Sequence, residues 1–354
     1  MPRRLLAALS LSALALTAAF APPAEAAPKK NFEIAWTIYV GWMPWAYAAE
    51  AGIVKKWADK YGIDIKVTQI NDYVESINQY TAGKFDGVTL TNMDALTIPA
   101  AGGVDTTAVI VGDFSNGNDG VVSKKAKTVA ELKGASVNLV ELSVSHYLLA
   151  RALDKNGMAE KDVKVVNTSD ADIVAAFKAP DVEQVVTWNP LLAEVAAEPG
   201  ATKLFDSSQI PGEIIDTLGV NTETLKDNPD FGKALAGIWY ETMAAMEGEA
   251  GKAARESMAK QSGTDLAGFD AQLAATKLFS KPADAVAFVE SPDLIKTMDL
   301  VRTFSFDHGL LGEGAKSKDA VGIGFAGAQT LGDEKNVKLR FDPTFMKMAA
   351  DGKL

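Results

Sequence analysis

Short apolar segments alternate with helix-period segments from residue 32 to residue 188. That alternation restricts the chain to an α/β fold built on parallel strands. Strands are predicted at 32–38, 63–70, 85–91 and 106–114, with helices over 44–60, 73–82 and 93–101 between them. Gly52, Gly62, Gly83 and Gly102-Gly103 fall at breaks or ends, where left-handed helix caps take glycine. Residues 113–120 are dense in turn formers and read as a crossing to a second unit. In that unit Thr128 and Glu131 have capping-box spacing. Strands are predicted at 136–142, 163–166, 183–188 and 203–205, with helices over 143–157 and 171–178. A second polar stretch, 206–217, carries the chain back. Helical segments at 230–247, 251–260, 283–289 and 294–308 then pack on the first unit. The expected organisation is a discontinuous lobe 1 (27–118 with 218–354) and a lobe 2 (119–217), with a ligand cleft between them.

Residues 1–26 read as an export signal. Arg3 and Arg4 precede an uncharged apolar run from Leu5 to Phe20, and Ala24-Glu25-Ala26 gives a small-x-small cleavage site after Ala26. The mature chain is expected in the periplasm. It has no cysteine and two histidines, which leaves little material for disulfides, metal sites or nucleophilic triads. No catalytic residue, metal or cofactor is expected. The net charge of −11 argues against a nucleic-acid partner and mildly favours cationic ligands.

Three of the six tryptophans fall in one run, Trp36-Thr37-Ile38-Tyr39-Val40-Gly41-Trp42-Met43-Pro44-Trp45. The run spans a strand end and a helix start, where α/β folds bind ligands. Aromatic faces there attract small cations. Trp36 lies inside the strand and is assigned to the core; Trp45, in the first helical turn, can face either way. An internal echo supplies a second wall. Tyr80 to Asp86 leads into a strand ending at Thr91-Asn92, and Phe177 to Asp181 leads into one ending at Trp188-Asn189.

These residues carry a resemblance. Gly41-Trp42-Met43-Pro44, Ala48 to Val54, Gly83-Lys84-Phe85-Asp86, Ala101-Gly102 and Thr187-Trp188-Asn189-Pro190 resemble, in order, periplasmic substrate-binding proteins of ABC transporters, of the nitrate/taurine/sulfonate type. The runs Ile38 to Trp45 and Asp113 to Gly120 resemble the urea-carboxylase-associated subgroup most. The resemblance implies a two-lobe α/β fold of the type II binding-protein class, with parallel or mixed sheets flanked by helices. It also implies a hinge closure around a small nitrogenous solute, guanidine or urea, and delivery to an ABC permease by a monomeric protein.

The candidate ligand-binding residues are Tyr39, Trp42, Thr91, Asn92, Asp94, Asp119, Glu141, Ser143, Trp188 and Glu213. An oxyanion guest needs converging N–H groups with Arg or Lys. No basic residue lies near the predicted strand ends, whereas acids do. A guanidinium pairs with carboxylates and stacks on aromatic faces. Tyr39, Trp42 and Trp188 offer the faces, and Asp94, Asp119, Glu141 and Glu213 the charge. Thr91 and Asn92 end a strand at the cleft. Ser143 caps the next helix or touches an anion. Several competing roles are structural. Asp94 can cap a helix, Asp86 can anchor its turn, and Asp119 and Asp216 can serve the crossings alone. His146 and His308 read as helix residues rather than ligands. Guanidine is the favoured solute and urea the next. The alternatives are a binder of nitrate, taurine or another sulfonate, and an exported enzyme on the same fold.

Overall fold

The computed structural model describes residues 29–354; the predicted signal segment 1–26 and its cleavage site lie outside the described residues. Two sheets organise the chain. A nine-stranded mixed sheet has its strands from both ends of the sequence, and a five-stranded sheet lies wholly between residues 119 and 206.

The large sheet begins as the alternation requires. Strand Asn31–Trp36 pairs in parallel with Asp64–Gln69 and with Gly87–Thr91. Each is followed by a helix that covers the sheet with its apolar face. The expected helix over 44–60 is two helices, Met43–Glu50 and Ile53–Tyr61. Gly52, in the left-handed region at φ 75°, separates them, a conformation that residues with a Cβ rarely adopt.

The sheet is not purely parallel. Strand Ile215–Asn221 returns from the small sheet and inserts antiparallel between Gly87–Thr91 and Thr106–Ser115. It begins inside the stretch read from sequence as a polar connection, because its first six residues are all buried: Ile215, Leu218, Gly219 and Val220 with two polar residues among them, Asp216 and Thr217. The carboxyl-terminal third is not only helical: strands Gly322–Phe325, Gln329–Leu331 and Val337–Phe341 extend the large sheet at one edge.

In the small sheet, Asp119–Ser123 pairs antiparallel with Gln184–Trp188 and Thr202–Asp206. Ser136–Leu139 runs parallel to Lys164–Asn167. The predicted strand 136–142 stops three residues early, at Leu139. The chain then turns, and Leu142 has φ 63° and is 43% exposed. Thr128 makes no side-chain cap; Glu131 instead accepts from the Lys127 N–H at 2.8 Å. The chain passes between the sheets twice, at 116–118 and 207–214. One continuous buried apolar cluster reaches from Phe32 and Val109 in the large sheet to Val137 and Val186 in the small one. No described helix is long and apolar enough to cross a membrane.

Candidate functional site

A small cavity lies where strand ends of the two sheets meet. From the large-sheet half come Tyr39 and Trp42, in the turn after the first strand, and Thr91, the last residue of its strand. Tyr73 opens the helix Tyr73–Thr81. From the small-sheet half come Asp119 and Trp188, which antiparallel pairing sets directly opposite each other. Asp216 arrives on the returning strand, flanked by Thr91 on one side and Asp113 on the other. The cavity measures about 20 Å3, on the scale where one water needs about 10–15 Å3. It has room for one or two waters.

Four rings form a chain across the seam. Tyr39 meets Trp42 edge-on at 5.1 Å between centroids, Trp42 meets Tyr73 at 5.6 Å, and Tyr73 meets Trp188 edge-on at 5.6 Å. Trp36 and Trp45 are elsewhere, both buried in the core, with Trp45 against Trp239 at 5.4 Å.

Four aspartates surround these rings: Asp94, Asp113, Asp119 and Asp216, each no more than 3% exposed. The Tyr73 hydroxyl donates to Asp94 Oδ2 at 2.7 Å and Thr91 Oγ1 donates to the same oxygen at 2.9 Å. The Tyr39 hydroxyl donates to Asp113 Oδ1 at 3.2 Å. Asp94 Oδ1, Asp113 Oδ2 and Asp216 Oδ2 are buried with no hydrogen-bond partner. Burial is the main cause that pushes Asp94 up to about 6 and Asp113 and Asp119 up to about 7. Asp216 is pushed well above the usual carboxylate range, first by burial and then by Asp113 and Asp119. The opposing pulls come from hydroxyls, from the nearby Val144 N–H at Asp94 and, first at Asp113, from a hydrogen bond with the Asp216 carboxyl, which holds the proton of that pair; no lysine or arginine acts on any of the four. Buried carboxylates without a counter-charge are costly, and a cation among them removes that cost.

The remaining sequence candidates have other roles. Glu141 does not face the cavity. It is exposed in the turn beyond the shortened strand, where its N–H donates to Asn167 Oδ1 at 3.0 Å. Glu213 carries its own cation: Arg151 donates to it through Nε at 2.8 Å and Nη2 at 3.1 Å, and the Tyr147 hydroxyl at 2.7 Å. It is a tie between helix and crossing, away from the cavity lining. Asn92 is a strut. Its Oδ1 accepts from the Ile215 N–H at 3.0 Å and its Nδ2 donates to the Glu213 carbonyl at 3.1 Å. Ser143 is a helix cap, accepting from the Ser145 N–H at 3.2 Å while its hydroxyl donates to the Val140 carbonyl at 2.7 Å. Asp94 does not line the cavity surface; it backs it through Tyr73 and Thr91. Tyr39, Trp42, Thr91, Asp119 and Trp188 are brought together around the cavity.

Sequence reasoning missed Tyr73 and Asp113 and left Asp216 to the crossing. The signal for Tyr73 was available: an aromatic at the first turn of a helix that follows a strand end. Asp113 and Asp216 face each other only through pairing between distant strands, which leaves no local mark.

A family model described as the NMT1-like family matches residues 25–262. Over 197 residues the chain is 27% identical to a binding protein of Brucella abortus, which is 54% of this chain and 59% of that protein. The chain thus spans about three fifths of the length of the first curated relatives it matches. The taurine-binding periplasmic protein of Escherichia coli is 29% identical over 119 residues, 33% of this chain and 37% of that one. Among solved structures, the alkanesulfonate-binding protein SsuA of Xanthomonas axonopodis pv. citri, bound to MOPS, superposes with a TM-score of 0.67. It is 18% identical and covers 83% of this chain and 99% of its own. The nitrate-binding protein NrtA of Synechocystis PCC 6803 gives 0.57 at 14% identity, covering 92% of this chain and 99% of its own. At such identities the likeness establishes the fold, an α/β periplasmic-binding-protein architecture with mixed sheets flanked by helices.

Proposed function

The chain belongs to the NMT1-like family, and we propose that within it this protein binds a small planar nitrogenous cation, guanidinium, and hands it to an ABC permease in the cell envelope. The observation that carries the reading is the set of four buried aspartates around an aromatic cavity, with no basic residue acting on them. Guanidinium has the matching chemistry. It donates in one plane to carboxylates while its faces stack on rings. Each charged hydrogen bond contributes about 1.5–3 kcal/mol. An anion entering this cavity meets like charge from Asp119 and Asp216, which line it.

One observation favours urea as the second reading. Trp42 Nε1 is a buried donor with no partner, and the urea carbonyl oxygen would accept from it. The cluster of urea-carboxylase-like motifs supports either nitrogenous guest.

The ligand closes two lobes, 27–118 with 218–354 and 119–217, by bending at the two crossings. Export by the 1–26 signal, a periplasmic location and a monomeric state complete the reading. Only Leu142 and Leu300 are exposed large hydrophobics among the described residues, which supports the monomer. Tryptophan fluorescence titration with guanidinium, urea, nitrate and taurine tests the proposal, since Trp42 and Trp188 line the site. Saturable guanidinium binding with no response to taurine or nitrate is expected. Tight taurine or nitrate binding with no guanidinium response sinks it.

A further inference from the structure

We propose that His146, Glu160 and His308 form a divalent-metal site, suited to zinc, that joins the two halves of the molecule away from the aromatic cavity. The chain has two histidines, and both reach one carboxylate. The ligand atoms of the three residues lie within 4.8 Å of one another. Two imidazoles and a carboxylate are a zinc donor set, with a fourth position left for water. None of the three lines the cavity. His146 lies on helix Val144–Lys155, which packs on the small sheet, and Glu160 opens a short turn in the same half. His308 caps helix Pro292–Asp307, which packs on the large-sheet half through residues 92–95. An ion held by all three therefore ties the halves together.

His308 is oriented as a metal-bound histidine is. Its Nδ1 lies 2.8 Å from the Phe304 carbonyl, which can only accept, so Nδ1 carries a proton. Its Nε2 points at Glu160 Oε2, nitrogen lone pair toward carboxylate oxygen. Two acceptors in contact need a cation between them, a proton or a metal ion. The Phe304 ring, stacked on His308 at 4.0 Å, fixes the imidazole plane. Glu160 Oε1 shows the same need. It is buried, and His146 Nε2 lies 2.9 Å from it, yet the two are not aligned as a hydrogen bond and Oε1 has no partner. Atoms side by side in this way are placed as neighbouring ligands of one ion rather than as donor and acceptor. The Glu160 side chain is 28% exposed, which leaves the ion a way in.

His146 shows what the ion must change. Its Nδ1 accepts the Leu142 N–H at 3.1 Å, so without a metal the ring proton sits on Nε2. A metal on Nε2 sends that proton to Nδ1, which then needs an acceptor. The adjoining turn can supply one. Residues 140–143 are closed by the Ser143 N–H donating to the Val140 carbonyl at 3.4 Å, with a φ of 63° at Leu142 and no positive φ at Glu141, the type II pattern. Glycine is the usual occupant of that position, and leucine is strained there. Half a turn of the peptide between Glu141 and Leu142 converts it to type I, in which Leu142 takes a φ of about −90°. The same rotation puts the Glu141 carbonyl in front of Nδ1 in place of the Leu142 N–H. Leu142 is 43% exposed, so little packing opposes the rotation.

The test is zinc chloride titrated at about pH 7.5 into untagged, metal-free protein labelled uniformly with nitrogen-15. The chain's two histidines give two imidazole ring systems in the spectrum. Both should shift and reach completion at one equivalent of zinc, with the metal on Nε2 and the proton on Nδ1 in each, and the Leu142 amide should shift with them. H146Q, H308Q and E160Q should each weaken zinc binding by about 100-fold or more. D119N, altered in the cavity, should bind zinc as the wild type does. Melting temperatures of the zinc-free variants verify that they fold, and the wild-type ring shifts decide the matter even where a variant does not. The absence of saturable zinc binding in the wild type overturns the proposal. So does binding that leaves either ring unshifted, or binding that is lost in D119N, which would put the ion among the buried aspartates.

Discussion

Two sets of acids lie within one seam, and they differ in what neutralises them. Glu213 and Glu160 meet protein cations, Arg151 on one side and His308 on the other, and Glu160 is held down to about 2. Asp94, Asp113, Asp119 and Asp216 are buried more deeply, have none, and are all raised. The fold supplies partners to its partly exposed acids and none from lysine or arginine to these four, which is the arrangement the proposed cationic guest would complete. On the proposed function, the contrast separates acids that tie the structure from acids that would receive a guest.

The largest test of that contrast is charge removal in the cavity. D119N should weaken guanidinium binding by about 30- to 1,000-fold, the range for truncating one partner of a buried charge pair, measured by calorimetry. Next is pH. The raised aspartates must ionise to pair with a cation, so guanidinium affinity should rise roughly tenfold or more between about pH 5.5 and 8. The same groups work against the empty protein. Their folded pKa values lie above the unfolded ones, so their stabilisation is present below the usual aspartate range and lost as pH rises through about 6 to 7. Guanidinium should therefore raise the melting temperature more at about pH 8 than at pH 5.5.

W188L should cost about 5- to 30-fold in affinity, the worth of a desolvated cation–ring contact. G41A comes next. A Cβ at Gly41 would meet Asp113 Oδ2 at 2.4 Å and Tyr39 Cε1 at 2.6 Å, and the forced shift should destabilise by about 1–3 kcal/mol, read in denaturant unfolding with guanidine-free urea. The smallest effect is E213Q. It breaks the Arg151 tie and should lower stability, yet change guanidinium affinity by less than about threefold. A large affinity loss in E213Q with none in D119N would erase the distinction between the two sets.

The alternation of apolar and helix-period segments was enough to read the parallel strands, the aromatic run pointed to Tyr39 and Trp42, and the internal echo pointed to Trp188. Thr91 was legible as a strand terminus and Asp119 as an acid of the first crossing. The failures have a common cause. Glu141 was placed at a strand end because apolar residues continue to Leu142, but the strand stops at Leu139 and the next residues turn. Asp216 and Asp113 become neighbours through antiparallel pairing across about a hundred residues, and no local pattern encodes a partner so distant. Glu213 looked like a cleft acid because Arg151, 62 residues earlier in the sequence, comes beside it only in space. The histidines were read singly, and their convergence on Glu160 is again a long-range contact.

Proton exchange on binding separates a waiting anionic site from any other. Guanidinium titrated calorimetrically at about pH 6.5, in two buffers of different ionisation enthalpy, should release protons, because a cation lowers the raised aspartate pKa values. Taurine should produce no saturable heat. Proton uptake on ligand binding, or tight taurine binding beside a silent guanidinium titration, would show that the buried aspartates are not there to receive a cation.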